Sequence, residues 1–455
     1  MIEDSITTIA APATASGRAG IAVVRLSGPN SYALAAKITN ADFPPRSLER
    51  VCFYDNDGEV IDSGLAVFFK GPKSYTGEDV VEMHCHGNPI IVDQIIKVIL
   101  MYGGVLAEPG EFTKRAFLNG KINLFQAEAV ADIIDAATVK ASRSAHRSLN
   151  GHFSDEINTV ISNLTRLRVL VESGLDFAEE DVDLISNSEI IAEIASISGV
   201  LADLKAKAKV GKIMQDGLKI VIFGPPNAGK SSLFNYLALA DEAIVTDIPG
   251  TTRDVLKQKI KLDDSGFVAT ISDTAGIRSC DDVIENIGIE RAKAELEGSD
   301  CIIVLLDAAC YRGDGFSDFV AKNLASHQQK AIYVLNKIDL VSDVDEILQE
   351  QGRPVTPISI KHQLGRDRLV LAIKSMCKID EEESVFTARQ RHVTAIEQGE
   401  LRLGEAKEQC LAESGHEIVA EHLRFALNSL GFITGAAVAS DDILGEIFSS
   451  FCIGK

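Results

Sequence analysis

The residues with the most definite chemistry lie in the segment GPPNAGKS, Gly224 to Ser231. This segment follows the apolar run Leu218 to Phe223, and a strand that leads into G-x-x-x-x-G-K-S is the pattern of a phosphate-binding loop. In such a loop backbone N–H groups surround the phosphates, the Lys230 ammonium adds positive charge at the β- and γ-phosphates, and the Ser231 hydroxyl is a ligand for Mg²⁺. The sequence therefore predicts a site for a nucleoside triphosphate with Mg²⁺.

Two later segments predict the base. Asn336-Lys337-Ile338-Asp339 follows the apolar run Ala331 to Leu335, and the Asp339 carboxylate can accept the N1–H and amino protons that guanine carries and adenine lacks. Ser359-Ile360-Lys361 lies where GTPases have a short Ser-Ala-Lys loop whose backbone contacts the base. Ile360 stands in place of the usual Ala, which predicts side-chain crowding near the guanine. The nucleotide is therefore predicted to be GTP.

An acidic residue and a glycine after a third strand pattern complete the nucleotide site. Asp273-Thr274-Ala275-Gly276 follows the alternating stretch Phe267 to Ile271, so Asp273 can hold the Mg²⁺ shell and the Gly276 amide can sense the γ-phosphate. Thr252, in the loop Thr246 to Asp254, suits a second Mg²⁺ hydroxyl. The predicted GTP-binding residues are Asn227, Ala228, Gly229, Lys230, Ser231, Ser232, Thr246, Asp247, Ile248, Pro249, Gly250, Thr251, Thr252, Asp273, Thr274, Ala275, Gly276, Asn336, Lys337, Asp339, Ser359, Ile360 and Lys361.

These motifs leave two parts of the hydrolytic machinery open. Ile277 occupies the position in which Ras-like GTPases carry the glutamine that orients the attacking water. A carboxylate in the following loop must then act, and the candidates are Asp281, Asp282, Glu285 and Glu290. Positive charge for the transition state comes either from Arg253 as an arginine finger or from a K⁺ ion near Asn227, and Arg253 could instead only pair with Asp254.

Length and composition describe a multidomain protein without a membrane segment. A chain of 455 residues predicts about three domains, and the longest apolar run, Cys301 to Leu306, is too short to span a bilayer. The eight cysteines include no C-x-x-C pair, which argues against a zinc site or a disulfide framework. Acidic Glu3 and Asp4 replace the basic start of a signal peptide. A cytoplasmic location and no membrane partner are therefore expected.

Strand and helix patterns divide the chain into three domains. Residues 1–120 alternate short apolar runs with helical stretches, which predicts an α+β domain. Residues 121–215 and 379–455 carry apolar side chains at helical spacing and predict one all-α domain. Residues 216–378 alternate strand and helix, so the simplest architecture is a Ras-like P-loop GTPase α/β domain inserted into the helical domain.

Two features outside the GTP motifs allow more than one interpretation. Glu82, His84 and His86 alternate along a predicted strand, and a packed strand with a polar face is favoured over a metal site because no distant ligand set is evident. Cys452 lies in the last residues, Phe451 to Lys455, a glycine-containing segment expected to be flexible. It is either an accessible nucleophile or an incidental thiol.

The whole chain resembles a known family through GPPNAGKSSLFN, TDIPGTTRD, DTAGIR, IENIGIERA, PGEFTKRAFLNGK and FCIGK. These motifs are similar to those of the MnmE (TrmE) family of bacterial tRNA-modification GTPases. The resemblance implies an N-terminal tetrahydrofolate-binding domain that also forms a homodimer, a helical domain, and an inserted GTPase domain. It also implies action with the flavin-dependent MnmG (GidA) protein, in a heterotetramer, to place an aminomethyl or carboxymethylaminomethyl group on the wobble uridine of certain tRNAs. A tetrahydrofolate derivative would supply the methylene carbon.

The same resemblance assigns roles to individual residues. Arg25, Glu82, Lys121 and Lys455 would contact tetrahydrofolate, and Cys452 would be needed for modification. Pairing of two GTPase domains around K⁺ would activate hydrolysis, with the ion held by Asn227, Thr246, Ile248 and Thr251. Glu285 would orient the attacking water. The sequence departs from the family pattern at Pro225, Pro249 and Ile360, and Pro249 fixes φ and removes an N–H within the K⁺ loop.

The sequence is also compatible with an alternative function. It is a regulatory GTPase switch that binds RNA during ribosome assembly without modifying it. The net charge of −21 opposes non-specific RNA binding, so RNA must meet a local basic patch or arrive with another protein. The folate-like N-terminal motifs and the Cys452 segment favour modification.

Overall fold

The computed structural model describes residues 7–136, 138–176, 185–225, 227–238, 257–262, 268–273, 295–310, 328–342, 344, 354–377, 386–412, 415–437, 441–449 and 451–454. The chain forms two compact units, which we describe separately. The first contains residues 1–134, 148–197 and 398–455, and the second contains residues 135–147 and 198–397. Two mixed sheets and a set of long helices confirm the expected fold class, while the three-domain boundaries stay a prediction.

The first unit contains a six-stranded sheet with the order β3-β4-β5-β2-β1-β6. Neighbouring strands are antiparallel except for β1 and β6, which are parallel. The strands are β1 Ile9–Pro12, β2 Ala19–Ser27, β3 Leu48–Tyr54, β4 Val60–Phe69, β5 Val80–Gly87 and β6 Val105–Leu106. The sheet joins segments that are far apart in sequence.

The two faces of this sheet have different chemistry because side chains alternate along a strand. On β2, Val24 and Leu26 point into the core, and on β5 Val81 and Met83 do the same. The core is completed by α1 (Ser31–Thr39) and α2 (Pro89–Met101). The intervening residues of β2 and β5 therefore lie on the opposite face, and these include the predicted site residues Arg25 and Glu82.

The helix α3 (Glu111–Leu118) contributes a buried cation to the first unit. The Arg115 guanidinium is 5% exposed and forms ion pairs with Glu78 at 3.2 Å and Glu111 at 2.9 Å. It also donates a hydrogen bond to the Thr7 carbonyl at 2.8 Å. Glu78 in turn accepts a hydrogen bond of 2.7 Å from the Ser27 hydroxyl. Buried charges are tolerated only when they are paired and hydrogen-bonded, so this network fixes the loop that carries Glu78 against α3.

Long helices account for most of the remaining chain. In the first unit α6 and α11 pack together, and α6 buries Ile157, Val160, Leu164, Leu167 and Val171 at the helical spacing expected from the sequence. The helices are α4 Leu124–Asp135, α5 Val139–Leu149, α6 His152–Asp176, α7 Asn187–Asp216, α10 Gln390–Leu411, α11 His416–Thr434 and α12 Asp441–Ser449. None of the described helices is long and apolar enough to cross a membrane.

The second unit contains a six-stranded sheet with the order β12-β11-β10-β7-β9-β8. All neighbours are parallel except β8 and β9. The strands are β7 Leu218–Phe223, β8 Lys257–Lys261, β9 Val268–Asp273, β10 Cys301–Asp307, β11 Ala331–Asn336 and β12 Val355–Pro357, and the helices α8 (Lys230–Ala238) and α9 (Arg366–Met376) accompany them. The central strand β10 is almost fully buried, as expected for a parallel sheet covered on both faces. In such sheets ligands bind beyond the carboxyl ends of the strands.

Candidate GTP site and N-terminal cluster

The phosphate-binding loop lies between the carboxyl end of β7 and the first residue of α8. Gly229 has a φ of +98°, and a Cβ atom there would lie 2.6 Å from Nδ2 of Asn336, so this position requires glycine. The Lys230 ammonium donates hydrogen bonds to the carbonyls of Gly224 at 3.0 Å and Pro225 at 2.9 Å. Ser231 follows in the first turn of α8. The loop therefore has the backbone shape and the cation that a phosphate site needs.

The buried side chain of Asn336 connects this loop to the base-contacting loop. Its Nδ2 donates to the Ala228 carbonyl at 3.0 Å, and its Oδ1 accepts from the Ile360 N–H at 3.3 Å. Asn336 is the last residue of β11 and is 3% exposed. One amide therefore holds two predicted GTP loops in a fixed relation.

Lys337 makes a second connection from the same strand end. Its ammonium donates to the Asn227 carbonyl at 3.0 Å and pairs with Asp307 Oδ2 at 2.7 Å. The sequence did not single out Asp307, although its place at the end of β10 was a signal that could have identified it.

The predicted guanine acceptor, Asp339, lies in a short 3₁₀ turn after β11. The buried Ser359 hydroxyl donates to its Oδ1 at 2.6 Å, and this hydrogen bond lowers the pKa of the Asp339 carboxyl. The carboxylate is therefore ionised and able to accept guanine protons at neutral pH. The Ile360 side chain packs against the hydrophobic core, and its Cδ1 would lie 3.8 Å from a Cβ atom at Gly229. Crowding near the guanine stays a prediction. Lys361 is exposed.

Several predicted residues lie outside the described part of the chain. They are Thr246, Asp247, Ile248, Pro249, Gly250, Thr251, Thr252, Thr274, Ala275, Gly276, Glu285 and Lys455. Asp273 is described only as the last residue of β9, which is the position that its predicted role requires. The structure therefore brings together the phosphate loop and the base-recognition residues of the predicted site.

The first unit has a separate cluster around Arg25. Pairing of β2 with β5 sets Arg25 opposite Glu82, and their side chains form an ion pair at 2.8 Å. The guanidinium carbon lies 5.5 Å from the centre of the Tyr75 ring and 5.6 Å from that of Phe112. These distances are within the range of cation–π contacts. Burial raises the pKa of the Tyr75 hydroxyl, which hydrogen-bonds with Thr113 at 2.8 Å.

Two further predicted residues lie near this cluster. Nε2 of His84 is buried 3.8 Å from Glu82 Oε2 and has no hydrogen-bond partner in the described part of the molecule. The Lys121 ammonium donates to the Pro72 carbonyl at 2.9 Å, in the loop that also carries Tyr75. The described residues contain no group of three or more His, Cys, Asp or Glu suited to a metal ion.

The segment that carries Cys452 is not the flexible tail that the sequence predicted. Phe451 is buried beside Phe448, and the Cys452 carbonyl accepts a hydrogen bond from the Gly110 N–H at 3.5 Å. The Gly454 carbonyl accepts a bond of 3.5 Å from Arg25, and a Cβ atom on Gly454 would collide with the Pro12 carbonyl. The prediction was wrong because docking of an apolar ring and a glycine against distant residues is not visible in local composition. Cys452 itself is exposed, as expected.

The phosphate loop, with Asn336 and Asp339 after β11, defines this protein as a P-loop GTPase. Residues 8–121 match the family described as GTP-binding protein TrmE N-terminus, and residues 124–452 match the MnmE helical domain. The chain belongs to the MnmE family of tRNA modification GTPases, and its activity is the hydrolysis of GTP, for which Mg²⁺ is the metal cofactor.

Individual relatives agree along the full length. The tRNA modification GTPase MnmE of Acinetobacter baumannii (strain AYE) is 44% identical over 454 residues, which covers 99% of both chains. The protein of the same name from Shewanella amazonensis is 44% identical over 454 residues, covering 98% of this chain and 99% of the relative. Among solved structures, the G domain of the T. maritima FeoB iron transporter is 25% identical, covering 35% of this chain and 98% of its own, with a TM-score of 0.27. That TM-score is too low to support a structural conclusion.

Base recognition by Asp339 can be tested with the substitution Asp339→Asn. The change replaces two acceptor oxygens by an amide, so we expect GTP affinity to fall roughly 100-fold or more, since a hydrogen bond to a charged group contributes about 1.5–3 kcal/mol. Affinity for xanthosine triphosphate, which carries an oxygen in place of the guanine amino group, should rise. Competition binding measures the affinities for GTP and xanthosine triphosphate. Asp367→Asn, an exposed carboxylate on α9, is the matched control, and unchanged GTP selectivity in Asp339→Asn would contradict the assignment.

Proposed function

We propose that this GTPase modifies the wobble uridine of certain tRNAs, placing an aminomethyl or carboxymethylaminomethyl group with a carbon from a tetrahydrofolate derivative. The names of the curated relatives support a role on tRNA. The observation that carries the chemical part is the convergence at Arg25, where its ion pair with Glu82 meets the docked segment that holds Cys452. A folate contact and a reactive thiol would then serve one reaction centre in the first unit.

The residues around Arg25 fit a folate ring in their chemistry. A carboxylate such as Glu82 can accept two N–H bonds from an aminopyrimidine edge, and the buried Nε2 of His84 has unused hydrogen-bonding capacity. Tyr75 and Phe112 offer aromatic surface beside the guanidinium. When bound, tetrahydrofolate supplies a carbon at the oxidation level of a methylene. Glu82 and Arg25 would bind and orient the folate ring. Lys121 and Lys455 would contribute positive charge.

The proposal includes three partners. A flavin-dependent protein of the MnmG (GidA) type supplies the redox chemistry, in a heterotetramer. A second copy of this chain forms a homodimer through residues 1–120. The tRNA partner must be held locally or by the flavoprotein, because a net charge of −21 opposes general attraction to RNA. A cytoplasmic location without a membrane partner is part of the same proposal.

GTP hydrolysis is proposed to be activated by K⁺ between two paired GTPase domains. Asn227, Thr246, Ile248 and Thr251 would hold the ion, and Glu285 would orient water in place of the residue missing at Ile277. Ser231 and Thr252 would hold Mg²⁺. The exposed side chain of Asn227, in a left-handed conformation with φ of +64°, supports its part of this assignment. The other K⁺ ligands lie outside the described residues.

The cation role predicts different GTP turnover in KCl and NaCl at equal ionic strength. Turnover in KCl should exceed that in NaCl by roughly tenfold or more, since positive charge at the transition state is a large part of GTPase catalysis. The rate per molecule should also rise with protein concentration because two domains must pair. Choline chloride serves as the control for ionic strength. Equal GTP turnover in KCl and NaCl, independent of protein concentration, would contradict the K⁺ role. It would assign the positive charge at the transition state to Arg253.

The alternative, a ribosome-assembly switch, has less support from the described residues. Such a switch needs the GTP site, but it does not need an arginine–glutamate pair with aromatic neighbours that contacts the segment of an exposed cysteine. Loss of wobble modification on deletion, with intact ribosomes, would separate the two functions. Defective ribosomes with normal tRNA would favour the switch.

Cys452→Ser tests the modification chemistry independently of GTP hydrolysis. The thiolate is a far better nucleophile than a hydroxyl, so we expect modification of tRNA to be lost while GTP turnover is retained. Mass spectrometry of tRNA nucleosides from complemented deletion cells measures tRNA modification. Phosphate release by the purified protein measures GTP turnover. Cys310→Ser, another exposed cysteine, is the matched control. Full modification by Cys452→Ser would make this residue an incidental thiol.

A further inference from the structure

Four cationic side chains gather at one turn of the first unit, Lys70 to Lys73. The Lys73 N–H donates to the Lys70 carbonyl at 3.1 Å and closes the turn. Arg46 Nη2 donates to the Lys73 carbonyl at 2.8 Å, and Lys121 Nζ donates to the Pro72 carbonyl at 2.9 Å. These bonds hold the charged ends of Arg46 and Lys121 beside Lys70 and Lys73, and all four residues are exposed. We name Arg46, Lys70, Lys73 and Lys121 the cationic turn.

Carboxylates in the described part of the chain do not neutralise the cationic turn. Among the described residues these four cations form no ion pair within 4.0 Å. Glu78 pairs with Arg115 and Glu82 pairs with Arg25. The Asp79 carboxylate lies at this turn, where its Oδ1 accepts the Gly71 N–H at 2.9 Å. Four cations and one hydrogen-bonded carboxylate leave an excess of positive charge at this turn, in a chain whose net charge is −21, and this excess attracts an anion.

The cationic turn is continuous with the Arg25 cluster. The loop that begins at Lys70 runs on to Tyr75, whose ring lies 5.5 Å from the Arg25 guanidinium carbon. At Gly77 of the same loop, a Cβ atom would lie 3.3 Å from Cγ of Lys121, so the Lys121 side chain lies along this loop. A ligand that starts at Arg25 and Glu82 can therefore reach the cationic turn by following one loop.

We propose that the cationic turn binds the γ-linked glutamyl tail of a folate. The inference rests on the proposed folate binding at Arg25 and Glu82, and it names the form of the ligand. A folate ends in glutamate, and every further γ-linked glutamate adds one carboxylate to a flexible chain. Exposed lysines suit such a tail, because each is a mobile point charge that needs no shaped pocket. Exposed ion pairs are weak singly, about 1.4- to 5-fold in affinity each, so several are needed.

A carboxylate tail fits the cationic turn better than an RNA backbone does. Phosphates repeat along the whole length of a nucleic acid, and proteins that bind them spread lysine and arginine over an extended surface. The four cations are instead confined to one short turn beside the candidate folate residues. Their place on the loop of Tyr75 therefore favours the folate tail.

The experiment compares two ligands, 5-formyltetrahydrofolate with one glutamate and with three γ-linked glutamates. We expect the triglutamate to bind the full-length protein roughly tenfold more tightly at low salt, and the ratio to shrink as ionic strength rises. In Lys70→Gln/Lys73→Gln the affinity ratio should fall towards one. The matched control Lys37→Gln/Lys97→Gln removes the same charge from α1 and α2 and should keep the full ratio. Isothermal titration calorimetry measures the affinities of both ligands for all three proteins.

Each outcome has a distinct meaning. Equal affinities of the two ligands for the wild-type protein would overturn the tail site and leave the folate proposal intact. Binding of neither ligand would remove the folate site and the tail site together. A Lys70→Gln/Lys73→Gln protein that keeps the full ratio but binds tRNA more weakly would assign the cationic turn to RNA. The inference is supported if Lys70→Gln/Lys73→Gln loses the affinity ratio between the two ligands and Lys37→Gln/Lys97→Gln keeps it.

Discussion

The buried amide of Asn336 is the interaction on which the GTP site depends. It donates to the phosphate loop at Ala228 and accepts from the base loop at Ile360, and the glycine at 229 leaves room for it. Each of these backbone groups would lose its partner if the amide were absent, at a cost of about 1–3 kcal/mol each. Phosphate binding and base recognition are therefore mechanically coupled through one side chain at the end of β11.

In the first unit, charged side chains connect distant segments, as the Asn336 amide does in the GTP site. Antiparallel pairing sets Arg25 against Glu82 on the sheet face opposite α1 and α2, so the apolar core and the polar face share the same two strands. The Arg115 network anchors the loop that leads from the cationic turn to Glu78. Docking of Gly454 then brings the Cys452 segment to Arg25. A few polar contacts therefore position the side chains of this region.

Sequence patterns predicted the parts that depend on local spacing. The strand before the phosphate loop, the strand ending at Asn336 and the helix Pro89–Met101 all appear where the apolar patterns indicated. Features that depend on distant partners were not predictable. The Arg115 network joins residues far apart in the chain, and docking of Gly454 contradicted the expected flexible tail. Strand register and tertiary packing determine these contacts, and neither can be predicted from a single segment of the sequence.

The central claim, that Asn336 couples the two GTP loops, is tested most directly by nucleotide affinity in Asn336→Ala. Equilibrium titration with fluorescent GDP and GTP analogues should show a loss of roughly 10- to 100-fold for both nucleotides, because two backbone groups lose their partner. Asn235→Ala, which truncates an exposed asparagine on α8, should stay within about twofold of wild type. If Asn336→Ala instead binds both nucleotides as tightly as the control, the loops are held by other contacts and the account of the site is wrong.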